Sequence, residues 1–212
     1  KKRKIYLVED TAHAFLAKSN NKFLGTIGDI GVFSFHETKN LVAGQGGCIS
    51  INNSSLIKRA NSILDKGTDR KKFINNFKNK IIKSNNRKFY SWVDIGSEYR
   101  ASELSSALLY SQMLKVKKIQ KKREIIWTKF NKIITNLKTK KFYLIKPLEG
   151  SASAYHLLVL IFKNKKLSTN FKNKMQKNNI AATFHYVPLH KSKMGKKFCK
   201  KKLLITDNIY NR

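Results

Sequence analysis

The chain has 212 residues, 41% of them hydrophobic, and carries a formal charge of +33 at pH 7. That length suits one large domain or parts of two, and the apolar fraction can build a core, which excludes wholesale disorder. No apolar run approaches the ~20 residues that span a bilayer, "KKRKIYLVED" lacks a signal peptide's apolar stretch and cleavage site, and two distant cysteines, Cys48 and Cys199, make neither a disulfide framework nor a zinc ribbon.

A cytoplasmic, non-membrane protein is therefore expected. The charge points to a partner less than its size suggests. The excess is nearly all lysine, accompanied by abundant Asn, Ile and Phe, residues that share A/T-rich codons. Phosphate and base readers favour arginine forks, which are scarce here, and runs such as "KVKKIQKKR" and "GKKFCKKK" are spread along the whole chain. The basic runs are read as solvated faces, with no specific nucleic-acid partner; binding through the basic surface stays as the alternative.

In chain order, "IYLVED" (5–10) predicts a short buried parallel strand ending in two carboxylates. "TAHAFLAK" predicts a short helix or turn, and "GTIGDIGVFSF" two glycine breaks before a strand over Val32–Phe35. "GCISIN" (47–52) reads as a strand after the glycine-rich "GQGG", and 54–66 as a helix capped by Ser54 or Ser55. The polar stretch 69–90 is expected to be a loop. From Ser102 to Leu137 apolar residues recur at helical spacing, including Leu104, Leu108, Val116, Ile119, Ile126, Phe130 and Ile133, which predicts a core-packing stripe. Beyond Pro147 come a strand over 154–162, a helix from Ser168 to about Lys177 and a strand over 180–188. Those last elements make a second, smaller α+β unit joined by the long helix.

Ligands of open α/β sheets lie beyond the carboxyl ends of strands, and Asp10 and Lys39 both follow such ends. If the two strands are parallel neighbours, an acid and an amine face one crevice. Pyridoxal phosphate needs that pair: a lysine for its aldehyde and a carboxylate that keeps the pyridine nitrogen protonated. Lys39 would also move the proton in the 1,3-shift. Ser34 can donate to a phosphate from the strand end, "GQGG" allows close backbone approach, and His13 can reach the ring's phenolic oxygen. The plainer alternatives are a structural Asp10–Lys39 ion pair and a satisfied, half-buried His13. Metal ligation is not expected, because Pro188 keeps His185 and His190 of "HYVPLH" from sharing a helix face and no HExxH is present.

"VEDTAHA", "GTIGDIGVFSFHETKNLVAGQGG", "DIGSEYRASEL" and "FHYVPLH" occur in this order, and the sequence resembles the sugar aminotransferases of the DegT/DnrJ/EryC1/StrS type over essentially its whole length. The resemblance implies an α/β protein with the type I pyridoxal-phosphate aminotransferase fold. It comprises the C-terminal part of the large α/β/α domain (1–100), a long connecting helix (101–140) and most of a small, truncated α+β domain (141–212). Pyridoxal 5'-phosphate is the implied cofactor, and a nucleotide-linked keto-sugar and glutamate are the implied substrates. "SFHETKN", "KGTDRKKF" and "YSWVDIGSEY" resemble members that aminate dTDP-4-keto-6-deoxyglucose on the route to enterobacterial common antigen.

By the same resemblance Lys39 is the catalytic Schiff-base lysine, Asp10 the partner of the pyridine nitrogen, His13 the neighbour of the ring hydroxyl and Ser34 a phosphate ligand. Tyr186 and His190 fall in the segment that approaches the sugar nucleotide. The family works as a homodimer. Glu98 stands where many relatives place an Asn that reaches the phosphate across the dimer. The chain opens directly in a strand-like run, so a fragment of a longer enzyme is expected, and a non-catalytic remnant of one is the alternative.

Overall fold

The computed structural model describes residues 5–78, 89–199 and 201–212. In chain order its strands and helices are β1 (Val8–Asp10), β2 (Lys18–Ser19), β3 (Lys22–Phe23), β4 (Ile30–Ser34), β5 (Gly47–Ile51), α1 (Ile57–Leu64), α2 (Arg70–Lys78) and α3 (Glu103–Met113). They continue as α4 (Val116–Asn136), β6 (Phe142–Leu144), β7 (Ser151–Ala152), β8 (Leu160–Phe162), α5 (Lys165–Lys177), α6 (Gly195–Phe198) and α7 (Leu204–Tyr210). Two compact units divide the chain: Lys1–Arg123 with Pro147–His156, and Glu124–Lys146 with Leu157–Arg212.

In the first unit β4 is the central strand of a three-stranded sheet. It runs parallel to β1 in the register Asp10↔Val32 and antiparallel to β5 in the register Ser34↔Gly47. A second small sheet has the order β3-β2-β7. The core of the unit is Phe35, Leu41 and Ala43, against which Phe15, Phe33, Leu109, Val116 and Ile119 pack. Phe15 stands edge-on to both Phe33 and Phe35, at 5.9 and 5.8 Å between ring centroids.

In the second unit β6 and β8 pair antiparallel, and Leu144, Ile161 and Phe162 are buried. Phe162 lies 5.3 Å from Phe142 and 5.2 Å from Phe171, so α5 is held on the pair by an aromatic cluster. Asn164 caps α5 by accepting from the Leu167 N–H at 3.0 Å. The helix starts there, three residues before Ser168.

Several expectations change. The run 5–10 is strand only from Val8, and Ile5 to Val8 are exposed rather than buried, because no described element covers them. "TAHAFLAK" is a pair of turns that leads into β2. The segment after β5 is capped by Asn53, whose side chain accepts from Ser55, and starts with one 3-10 turn, Ser54–Leu56, before α1. Residues 70–78 are helix α2, not loop, and Phe73 docks the helix at 6.4 Å from the Tyr90 ring; residues 79–88 of the expected loop lie outside the described residues.

The long helix is two helices. Lys115 N–H donates to Gln112 O at 2.9 Å, a tight turn that ends α3 and resets the apolar phase for α4. Leu109, Val116 and Ile119 meet the core, whereas Leu104, Leu108, Leu114, Ile125, Ile126, Phe130, Ile133 and Leu137 are exposed, so most of the predicted stripe is not covered by the described residues. The expected strand over 154–162 shortens to β8, because Tyr155 has φ +50 and the left-handed conformation interrupts a ladder. Residues 180–187 carry no strand ladder. No helix among the described residues is long and apolar enough to cross a membrane.

Candidate active site

The parallel pairing of β1 with β4 settles the geometric condition on which the site depends. The carboxyl ends of both strands point the same way: Asp10 ends β1 opposite Val32, Ser34 ends β4 two residues further on, and the Lys39 loop follows. The residue after Asp10 fixes the end of β1. Thr11 is 3% exposed and donates from both its N–H (2.9 Å) and its Oγ1 (2.7 Å) to the Val32 carbonyl. Asp10 itself is exposed, with Oδ1 accepting from the Ala12 N–H at 3.1 Å.

Lys39 lies in an excursion from Phe35 to Gly46 that extends the β4–β5 hairpin. Its base is closed by Phe35 N–H donating to Gly46 O (2.9 Å), Ala43 N–H to Phe35 O (2.8 Å) and Glu37 N–H to Gly44 O (3.1 Å). Gly44 and Gly46 have φ +76 and +128, backbone that side-chain-bearing residues rarely adopt, so the glycines of "GQGG" turn the chain back into β5. Ser34 Oγ accepts from the His36 N–H at 3.4 Å.

Three successive residues pin the segment after Lys39. Asn40 is 7% exposed and its Nδ2 donates to Ala154 O at 2.6 Å. Leu41 is 1% exposed in the core. Val42 N–H donates to Gln112 Oε1 on α3 at 3.1 Å. The half-buried Lys39 is thus the last residue before a rigid anchor, which limits the arc its amine can sweep.

His13, three residues past Asp10, is exposed and packs its ring against His156 at 4.4 Å between centroids. His156 Nδ1 in turn lies 2.8 Å from Asn40 Oδ1. Tyr186 and His190 belong to the second unit. Tyr186 is exposed, while His190 is largely buried and donates from Nε2 to Asp207 Oδ1 at 2.8 Å. Lys191 reaches the same oxygen at 2.9 Å, and the Lys191 and His190 hydrogen bonds hold the Asp207 carboxyl below the ordinary range. Among the described residues no group of three or more His, Cys, Asp or Glu is placed to hold a metal ion.

Two further acids shape the first unit. Partial burial pushes the Glu9 carboxyl up, and the N–H groups of Gly28, Gly25 and Ile27, at 2.6, 2.8 and 2.8 Å, outweigh it, so the group sits below the ordinary range. Glu9 thereby ties the loop entering β4 to β1. Glu98 pairs with Lys66 at 3.2 Å, and that hydrogen bond holds its carboxyl down as well.

A carboxylate and a hydroxyl at the carboxyl ends of two parallel strands, and an amine in the loop that follows, are the groups pyridoxal phosphate requires: an anion for the pyridine nitrogen, a donor for the phosphate and an amine for the aldehyde. The residues present fit the group. Thr11, Asn40, Gln112 and His156 escaped the sequence reading. Asn40 was lost among many asparagines. His156 had a visible signal, as the one imidazole inside the apolar run "AYHLLVLIF".

The chain is similar over 192 residues to the UDP-4-amino-4,6-dideoxy-N-acetyl-beta-L-altrosamine transaminase of Helicobacter pylori, with 27% identity covering 90% of this chain and 47% of that protein. Among solved structures it superposes on an aminotransferase, TlmJ, from Streptoalloteichus hindustanus with a TM-score of 0.82 at 19% identity, covering 99% of this chain and 52% of that one. It also superposes on a putative sugar aminotransferase, Spr1654, of Streptococcus pneumoniae in its PLP form, with a TM-score of 0.78 at 18% identity, covering 97% and 50%. These likenesses confirm the type I aminotransferase fold, and the chain spans about half the length of the proteins it matches. The DegT/DnrJ/EryC1/StrS aminotransferase model matches residues 1–212. By that match the chain belongs to this family of pyridoxal-phosphate-dependent sugar aminotransferases.

Proposed function

We propose that the chain serves the transamination of a nucleotide-linked 4-keto-6-deoxy sugar, converting dTDP-4-keto-6-deoxyglucose to dTDP-4-amino-4,6-dideoxygalactose with glutamate as amino donor. The observation that carries the proposal is the pair of parallel strand ends at Asp10 and Ser34, followed by the anchored Lys39 loop. Bound there, pyridoxal phosphate supplies an electron sink for the carbanion formed at the substrate carbon.

This chain's residues supply the rest. Lys39 Nζ would hold the cofactor's aldehyde and, once the amine of the donor has released it, would serve as the base and acid that takes up and returns the transferred proton. The Asp10 carboxylate keeps the pyridine nitrogen protonated, Ser34 Oγ donates to the phosphate, and His13 orients the ring hydroxyl. Tyr186 and His190 fall in the segment that by the family resemblance meets the sugar nucleotide, and within the second unit His190 is fixed by Asp207. The choice of a dTDP sugar rests on "SFHETKN", "KGTDRKKF" and "YSWVDIGSEY"; the Helicobacter pylori relative is named for a UDP sugar.

In the same reading residues 1–100 are the C-terminal part of a cofactor-binding domain, 101–140 connect it to a small domain over 141–212, and the enzyme is a cytoplasmic homodimer. Exposed apolar side chains on α3 such as Leu104, 85% exposed, suit burial against a second copy. The retained strand ends and the family match along the whole chain support an enzyme over a non-catalytic remnant.

The test is to titrate the protein with pyridoxal phosphate, reduce with borohydride and locate the label. Labelling at Lys39, lost in Lys39→Ala, is expected, and an unchanged absorption band in Lys39→Ala refutes the assignment. Amination of the dTDP keto-sugar in preference to its UDP counterpart tests the substrate.

A further inference from the structure

Asn40 and His156 are 116 residues apart in sequence, both in the first unit, and neither is assigned a role in transamination. Their hydrogen bond has only one consistent proton placement. Asn40 Nδ2 faces the Ala154 carbonyl oxygen at 2.6 Å, and a carbonyl oxygen accepts without donating, so the amide orientation is fixed. Asn40 therefore presents its acceptor, Oδ1, to His156 Nδ1 at 2.8 Å, and Nδ1 must carry the hydrogen.

That bond sets the plane of the imidazole, and the same ring packs on His13 at 4.4 Å with a 52° tilt. Asn40 is the residue after Lys39 and is 7% exposed, so its own position is dictated by packing. The connection His13–His156–Asn40 thus joins the residue beside the cofactor ring to the loop that delivers the amine.

We propose that His156, held by Asn40, is a positioning residue for the cofactor: it sets the His13 ring against the cofactor's hydroxyl edge and ties that setting to the Lys39 loop. The proposal rests on Lys39 as the cofactor lysine. A ring placed by packing alone would tolerate Phe at position 156. The Asn40 bond gives the imidazole a direction that Phe cannot reproduce, and leaves a buried acceptor without its donor when it is lost.

The test uses the full chain with pyridoxal phosphate as the probe. His156→Phe keeps the ring and removes the donor; His156→Gln keeps a donor and removes the ring. Each variant is checked for folding by far-UV circular dichroism, then titrated with cofactor while the absorption spectrum is recorded. Both are expected to bind about tenfold more weakly, a difference of about 1.4 kcal/mol, with a shifted absorption band. In a His13→Ala background the His156 substitutions should add little, because the ring they position is gone. A folded His156→Phe with wild-type affinity and spectrum overturns the proposal, as does full additivity with His13→Ala.

Should the variants not fold, the wild-type protein still decides. The 15N chemical shifts of His156 must report the Nδ1–H tautomer in the cofactor-free chain, and an Nε2–H tautomer overturns the proposal. Failure of the underlying reading looks different: the cofactor band would then survive Lys39→Ala, whatever happens at His156.

Discussion

The Lys39 loop should be sensitive to the side chain two residues beyond the lysine. Leu41 is 1% exposed and sits among Phe35, Ala43, Phe15, Phe33, Leu109, Val116 and Ile119. Replacing it with Ala removes three carbons from the one fully buried large side chain among the described residues. Leu→Ala substitutions cost about 2–5 kcal/mol, the spread depending on how far the surroundings collapse into the cavity. Five of the seven neighbours are only partly buried, so they have room to move inward and the cost should fall in the lower half, about 2–3 kcal/mol. At about 2–4 °C per kcal/mol for chains of this size, the midpoint of the first unit's transition should drop by roughly 4–12 °C. Thermal and urea denaturation followed by tryptophan fluorescence would measure it. Cofactor affinity should fall in parallel, because the anchor of the lysine loop is loosened even under conditions where the variant is fully folded. A loss below about 1 kcal/mol with unchanged cofactor binding would refute the view that Leu41 holds the loop.

Gln112→Ala removes the acceptor for the part-buried Val42 N–H and should cost about 1 kcal/mol, read as a lower urea midpoint at an unchanged slope. Arg100→Ala strips the Asp65 carboxylate, 5% exposed in its side chain, of its 2.7 Å ion pair; because Arg100 is about half exposed, a loss of about 2 kcal/mol is expected, and Asp65→Asn in the same background should recover part of it. Glu9 has a carboxyl pKa lowered in the folded state, so its contribution is present above the unfolded value and is lost as pH falls through the folded one. Melting temperature against pH should therefore decline on the acid side of the ordinary glutamate range, and Glu9→Gln should flatten that decline.

How much of this was visible beforehand depended on whether a feature was local. β4, β5 and the helix of residues 57–64 announce themselves through alternation, glycine breaks and 3.6-residue spacing, and they appear within a few residues of their expected bounds. The strand ends that carry Asp10 and Ser34, and the loop of Lys39 beyond the second, were legible as places where open sheets put chemistry, although the sequence left the parallel pairing of the strands as a condition. What stayed hidden was tertiary. Tyr155, at φ +50, sits between Ala154 and His156, and both of these bond to Asn40 through contacts that no window of the sequence contains. The apolar spacing on α3 and α4 is real, yet periodicity states which face is apolar and not what covers it. Leu109 and Ile119 meet a core, while Leu104 and Ile126 do not.

The same distinction explains how one lysine is singled out in a chain of formal charge +33. An ammonium on a solvated face is held only by its own flexible stem, and each additional one changes little beyond the long-range field. Lys39 differs through its neighbours. Its own N–H donates to His36 O at 2.9 Å, and the next three residues are tied in turn to Ala154, to the Phe35 core and to α3. The Schiff-base role proposed for Lys39 requires its amine to meet a carbonyl carbon at covalent distance, and a backbone placed before the cofactor arrives serves that role. The residues doing the placing are an amide, a leucine and a backbone N–H, all without formal charge. Drift that adds lysines to the surface would leave them unaffected, whereas a single change at Asn40 or Leu41 would move the amine without touching any charge.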